Sequence, residues 1–247
     1  AVVLLTILNI YLPIFSLFVL IVWPIPIMLV TVKHGVKTSA ITIAIAALIN
    51  GVFFSPVMGL LAVIGFGFVG FVIANSIKEN FSSLKVLIFT IAAVLISQSL
   101  IFLVSGQYLN YNLTNMLSES MQMFSSTPQI DEALIDQLIT LIKSIVPSIL
   151  FISSVIIGIL NYYASLWYLN NKGISKKIYK SIDQWRFPKW PISLGILLTL
   201  IFTQSTILLN INIILFFFAF FQGFSVGLYY VAKKKSFILN MLYIFLV

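Results

Sequence analysis

The chain has no cysteine, one histidine and only six acidic residues among 247 positions. Each shortage excludes something. Without thiols there is no disulfide, no thiolate metal site and no cysteine nucleophile. The one histidine, His34, lies between Lys33 and Gly35 at the end of an apolar run, where it reads as a headgroup-level side chain and not as a catalyst. No spacing of carboxylates or histidines suits a metal, and no glycine loop opens a helix to cradle phosphate. Scarcest of all is charge within the apolar runs: no Asp, Glu, Lys, Arg or His occupies the middle of any of them. Pumps, proton-coupled carriers and voltage sensors keep ionisable groups at membrane depth, and general acid–base catalysis needs a positioned titratable group. The expectation is a protein without catalytic residues, cofactor or metal, and without an ion-motive mechanism of its own.

What the chain does have is apolar length. It is 61% hydrophobic and 8% charged, with a mean hydropathy of +1.13, against about a quarter charged residues in an ordinary soluble domain. A hydrocarbon core needs about 20 apolar residues per helical crossing. Backbone amides in lipid must be paired within their own element, so unbroken runs of this kind mean helices. A membrane barrel would instead alternate in and out over short segments.

The runs divide into an all-α, polytopic transmembrane helical bundle of about nine spans, a single integral membrane domain over residues 1–247. Span I is Ala1 to Leu12, and span II is Ile14 to Val32, interrupted by Trp23-Pro24-Ile25-Pro26. Spans III, IV and V are Val36 to Phe54, Val57 to Ile77 and Leu84 to Ser105. Span VI is Ile145 to Leu169, span VII Ile192 to Leu209, span VIII Ile211 to Ala232, and a ninth begins at Phe237. The first residue is not Met and both ends lie inside apolar runs, so the expectation is a chain trimmed at its ends.

Thirteen of the fourteen Lys and Arg residues fall in every second connector. Lys33 and Lys37 lie between spans II and III, and Lys78 and Lys85 between IV and V. Lys172, Lys176, Lys177, Lys180, Arg186 and Lys189 lie between VI and VII, and Lys233 to Lys235 precede span IX. The positive-inside rule makes that side cytoplasmic, which points to a multi-pass membrane protein of fixed orientation. Topology thereby accounts for the net charge of +8 and no nucleic-acid partner is implied; the bilayer is the first partner.

Two connectors stand out. The acidic external segment 106–143 contains Thr127-Pro128, a cap followed by a first-turn proline, and then Leu134, Leu138, Leu141 and Ile145 at helical spacing. An amphipathic helix leading into span VI is expected, either as a lid or as an interfacial helix resting on headgroups. The basic cytoplasmic loop 171–191 combines Lys176, Lys177, Lys180 and Arg186 with tryptophans, as an inner-leaflet anchor or a partner-docking site.

Neutral amides are the remaining polar inventory of the spans. Asn9, Asn50, Gln98, Gln204 and Asn212 fall in outer halves, with Ser153 and Ser154 in the outer half of span VI; Asn161 and Gln222 lie deeper. Six of these amides (Asn9, Asn50, Gln98, Asn161, Gln204 and Asn212) are candidate substrate-binding residues around an aromatic-walled cavity. The alternative is that they are interhelical hydrogen-bond glue, each worth about 1 kcal/mol. Small residues allow helices to approach closely: Ala219, Gly223 and Gly227 on span VIII, Ala40 and Ala44 on span III, Gly70 and Ala74 on span IV. Gly223 and Gly227 join the basic loop as candidate partner-docking positions.

The order Trp23-Pro24-Ile25-Pro26, Lys33-His34-Gly35 and an Ala-rich span resembles the opening of substrate-binding S-components of energy-coupling-factor transporters. With Arg186-Phe187-Pro188 before span VII and Gln222-Gly223 in span VIII, the whole chain resembles the YybS-like family of bacterial integral membrane proteins. That resemblance implies an S-component-like core with extra helices. It further implies a solute-binding subunit that captures a vitamin-like nutrient and is energised by a separate ATPase or coupling subunit. Against it stands a non-transporting scaffold or regulatory protein that holds a partner through its basic loop and small-residue stripes.

Overall fold

The computed structural model describes residues 1–108, 132–174 and 205–233, with positions 190, 193 and 197. Apart from turns and short links, these residues are helical. A short helix α1 (Val2–Tyr11) leads through a 3-10 turn (Pro13–Phe15) into α2 (Ser16–Val22) and α3 (Ile25–His34). Then come α4 (Val36–Phe53), α5 (Pro56–Leu61), a π-helical stretch (Ala62–Phe68) and α6 (Val69–Lys78). The remaining helices are α7 (Ser83–Tyr108), α8 (Glu132–Asn171) and α9 (Thr206–Lys233).

Local chemistry sets the junctions. Pro24 and Pro26 have no backbone N–H and cannot continue the ladder of α2, so the chain turns at Trp23–Pro24 and restarts as α3. Gly35 closes α3 at φ 89°, a left-handed conformation that strains any residue with a Cβ. Across this turn the Thr31 hydroxyl donates to Ser39 Oγ at 2.6 Å, with both side chains fully buried. At the α4–α5 turn Ser55 Oγ accepts Met58 N–H at 3.2 Å and Pro56 takes the first helical position, the arrangement that satisfies a helix start.

Six helical stretches are long and apolar enough to cross a membrane: Pro13–His34, Val36–Phe53, Pro56–Lys78, Ser83–Val104, Gln137–Asn171 and Thr206–Gly227. The expectation of nine is therefore corrected to six among the described residues. Expected span I is the 10-residue helix Val2–Tyr11, about half of a crossing. Most of expected span VII and all of the ninth lie outside the described residues. The connector expected between spans VII and VIII at Leu209–Ile211 is not a connector, because α9 runs unbroken from Thr206 to Lys233. No Pro interrupts that stretch, and the Asn210 amide donates back to Thr206 O at 2.9 Å, so its polar group is satisfied inside the helix. The expected entry into span VI proves to be one helix with it, for α8 is 40 residues long.

Residues group into two compact units, one of Ala1–Ile139 and Ser153–Ile178, the other of Thr140–Ile152 and Tyr179–Val247. In the first, α3 packs on α4 and α6, α4 on α5, and α6 on α7. Ile27, Met28, Ile73 and Leu166 are the bulk of its buried centre. Outward faces stay apolar, with Leu48 and Val52 at 68% and 81% exposure, as lipid requires. Most described cations stand at alternate helix junctions, with Lys33 and Lys37 at α3–α4, Lys78 and Lys85 at α6–α7, Lys172 after α8 and Lys233 at the end of α9. Lys143, within α8, is the exception. The chain is a multi-pass helical membrane protein.

Candidate functional site

Prolines and an irregular turn inside the spans decide what three of the buried polar side chains do, Ser97, Ser148 and Asn161. Pro24 leaves the carbonyl four residues earlier, Leu20 O, without its helical donor. Asn161 of α8 is 2% exposed. With its carboxamide nitrogen turned toward α2, it donates to Leu20 O at 2.9 Å and to Ile21 O at 2.8 Å. Gly70 of α6 completes the same junction, since a Cβ there would lie 2.6 Å from Pro24 O. Asn161 is a structural donor.

The π-helical stretch follows the same logic. Ser97 of α7 donates its hydroxyl to Ile64 O at 2.8 Å, a contact that reaches across to the middle of that irregular turn. In the second unit Pro147 lies inside α8, and Asn210 of α9 meets the adjacent turn. Asn210 Oδ1 accepts the Ser148 N–H at 3.0 Å, while its Nδ2 donates to Ser144 O at 2.7 Å. Those are the two ends of a regular i→i−4 helical bond. Ser148 is fully buried, and its hydroxyl lies within hydrogen-bonding distance of both Asn210 Oδ1 and Asn210 O. Polar side chains that take over main-chain bonds are how bilayers tolerate broken helices.

The remaining polar groups are candidates for something else. Gln98 of α7 is half-buried, and its Oε1 accepts hydroxyls from Ser153 and Ser154 of α8, each at 2.8 Å. Its amide nitrogen has no protein acceptor among the described residues. This is the one described place where outer-half polar residues named from the sequence converge. Below it on α8, Gly158 lets α7 approach so closely that a Cβ would sit 2.9 Å from Ile91 Cα. Asn50 is fully buried in α4; its Nδ2 donates to Ala46 O at 2.8 Å while Oδ1 lacks a partner. Asn9 and Asn212 are half-buried and are not brought to Gln98 by any hydrogen bond. Gln204, Lys176, Lys177, Lys180 and Arg186 lie outside the described residues. Gly223 is exposed, with nothing within 4 Å of where a Cβ would be.

Among the described residues, the hydrogen bonds of Asn50 and Asn161 go to main-chain carbonyls and not to Gln98. An open groove of about 410 Å³ lies elsewhere, between α4 and the π-helical stretch, lined by Ala40, Ile43, Ala44, Val63, Gly67, Phe68 and Phe71. It is apolar throughout, and a Cβ at Gly67 would meet Ile43 Cγ2 at 2.8 Å. The Ala40–Ala44 stripe read from the sequence forms one of its walls. Among the described residues no three His, Cys, Asp or Glu side chains come together as a metal site.

Sequence reading missed two of these contacts, that of Ser97 with Ile64 O and that of Asn210 with the turn at Pro147. Ser97 gave no signal beyond being a hydroxyl in a span. Asn210 was hidden in a supposed connector, and Pro147 inside a supposed uninterrupted span. A workable signal was available: each proline deep in a span calls for a polar side chain on a neighbouring helix.

A helical membrane bundle with its polar groups arranged in this way agrees with the comparison of whole sequences. The family model described as "Predicted membrane protein (DUF2232)" matches residues 1–247. The chain belongs to that family. No curated protein and no solved structure matches it, so the family places the chain as a membrane protein and the roles of its residues rest on their own geometry.

Proposed function

We propose that this DUF2232 member is a membrane-embedded binding subunit for a small neutral solute, working in a bacterial cell membrane with a separate ATPase module. The observation that carries the reading is Gln98. Its oxygen is held by Ser153 and Ser154, which fixes the carboxamide and leaves two N–H donors available to an acceptor on a ligand. Asn161 and Asn210 are committed to main-chain groups at proline-containing turns, whereas the Gln98 amide nitrogen keeps its donor capacity. The absence of ionisable residues from the middle of the spans suits a neutral ligand and an external energy source. The resemblance to S-components of energy-coupling-factor transporters agrees with both.

The test begins with mass spectrometry of small molecules retained by gently solubilised protein. A retained compound should raise the thermal unfolding midpoint of the purified chain, and Gln98→Leu should abolish that shift. A shift of the same size in Gln98→Leu overturns the assignment.

A second reading, a non-transporting scaffold, is supported by the open apolar groove beside Ala40 and Ala44 and by the exposed Gly223 on α9. Under that reading, reversing the charges of Lys176, Lys177 and Lys180 abolishes co-purification of a membrane partner while the fold survives. Co-purification that persists in the triple variant counts against it.

A further inference from the structure

Pro147 and Asn210 together form a feature that solute binding does not require. Pro147 offers no N–H to Lys143 O, and its ring crowds that carbonyl, which opens the turn around it. A proline inside a span is a point of bending unless neighbouring groups satisfy what it frees. Here the neighbour is a single side chain that engages both partners of the next helical bond, Ser148 N–H at 3.0 Å and Ser144 O at 2.7 Å. The same nitrogen is tied to its own helix through Thr206 O at 2.9 Å, so the carboxamide cannot swing away without giving up every one of these bonds. Ser148 is fully buried, which keeps water from substituting for Asn210.

We infer that Pro147 is a hinge in α8 and that Asn210 is its latch. With the carboxamide in place, α8 is continuous from Glu132 to Asn171; with it withdrawn, the turn Ser144–Ser148 opens and the helix bends there. The inference does not depend on any ligand.

Amide hydrogen exchange on the full chain in lipid nanodiscs, with peptides covering 144–152 and a reference stretch 160–166 of the same helix, tests it. In Asn210→Leu the 144–152 amides should exchange about fivefold faster, the factor that follows from losing one net hydrogen bond, while 160–166 keeps its rate. Adding Pro147→Ala restores a main-chain donor, and the double variant should return to the original protection. Unchanged exchange in Asn210→Leu overturns the latch. Fast exchange that Pro147→Ala fails to restore overturns the hinge. If Asn210→Leu loosens both stretches, recovery of both in the double variant supports the inference and failure to recover sinks it. Because no ligand enters the measurement, its result is independent of the solute-binding reading.

Discussion

Asn161 stands to Pro24 as the hydrogen-bond donor that the proline lacks. Its amide reaches Leu20 O at 2.9 Å, the carbonyl that an N–H at position 24 would have served. Replacing Asn161 by Leu should leave that carbonyl and Ile21 O buried without partners, at about 1–3 kcal/mol for such a loss. Pro24→Ala supplies a main-chain donor to Leu20 O, so the loss should shrink in the Pro24→Ala background. A double-mutant cycle of unfolding in mild detergent measures the coupling directly. Additive effects of the two substitutions would show that Asn161 acts elsewhere.

Glycines on different helices should respond in opposite ways to the same methyl group. A Cβ on Gly70 meets Pro24 O at 2.6 Å and Met28 N at 3.2 Å, whereas one on Gly223 meets nothing within 4 Å. Gly70→Ala forces α6 away from the α2–α3 turn and should destabilise by about 1–3 kcal/mol, the usual range for overpacking. Gly223→Ala gains helix propensity and should be neutral or stabilising by up to about 1 kcal/mol. Thermal midpoints of the two variants, measured side by side, decide this. A neutral Gly70→Ala would mean that the close approach is not held.

Much of this fold was legible because bilayers impose few solutions. Spans II to VI emerge in place because apolar length and the alternation of Lys33, Lys37, Lys78 and Lys85 with uncharged turns are long-range patterns that survive local errors. The failures were local. Asn210 looked like a turn residue because an amide between two apolar runs has that appearance until its partner is known. Its partner, Ser148, is 62 positions away, and periodicity carries no information on such pairing. The candidate site was legible in residue type, since Gln98, Ser153 and Ser154 were all named among the polar residues of the spans. That Asn50 turns to Ala46 O of its own helix was not legible, because facing direction depends on helix rotation, which an evenly apolar span leaves undetermined.

Asn50 gives the sharpest contrast between stability and function. It is fully buried with Oδ1 unpaired, and an unpaired buried acceptor costs about 1–3 kcal/mol. Asn50→Leu removes that group while keeping the same branched heavy-atom skeleton, so the ligand-free protein should be unchanged or more stable. If Asn50 Oδ1 accepts a bond from bound solute, the same substitution should reduce the ligand-induced shift in unfolding midpoint. A clear loss of ligand-free stability in Asn50→Leu would instead reveal that Oδ1 already has a structural partner such as water.

Orientation is open to a direct chemical test, because the chain has no cysteine and any introduced thiol is unique. Phe53 closes α4 at the uncharged α4–α5 turn and is 76% exposed. Glu79 follows α6 at a basic junction, and Lys172 follows α8; both are exposed. Odd and even helix junctions must lie on opposite faces of the bilayer, and basic ones face the cytoplasm. A membrane-impermeant maleimide added to intact cells should therefore modify Phe53→Cys but neither Glu79→Cys nor Lys172→Cys, and opening the cells should expose the latter two. Labelling of Lys172→Cys from outside would place the C-terminal end of α8 on the external face. Gln98, Ser153 and Ser154 would then lie nearer the cytoplasm, and a solute captured from outside could not be their ligand.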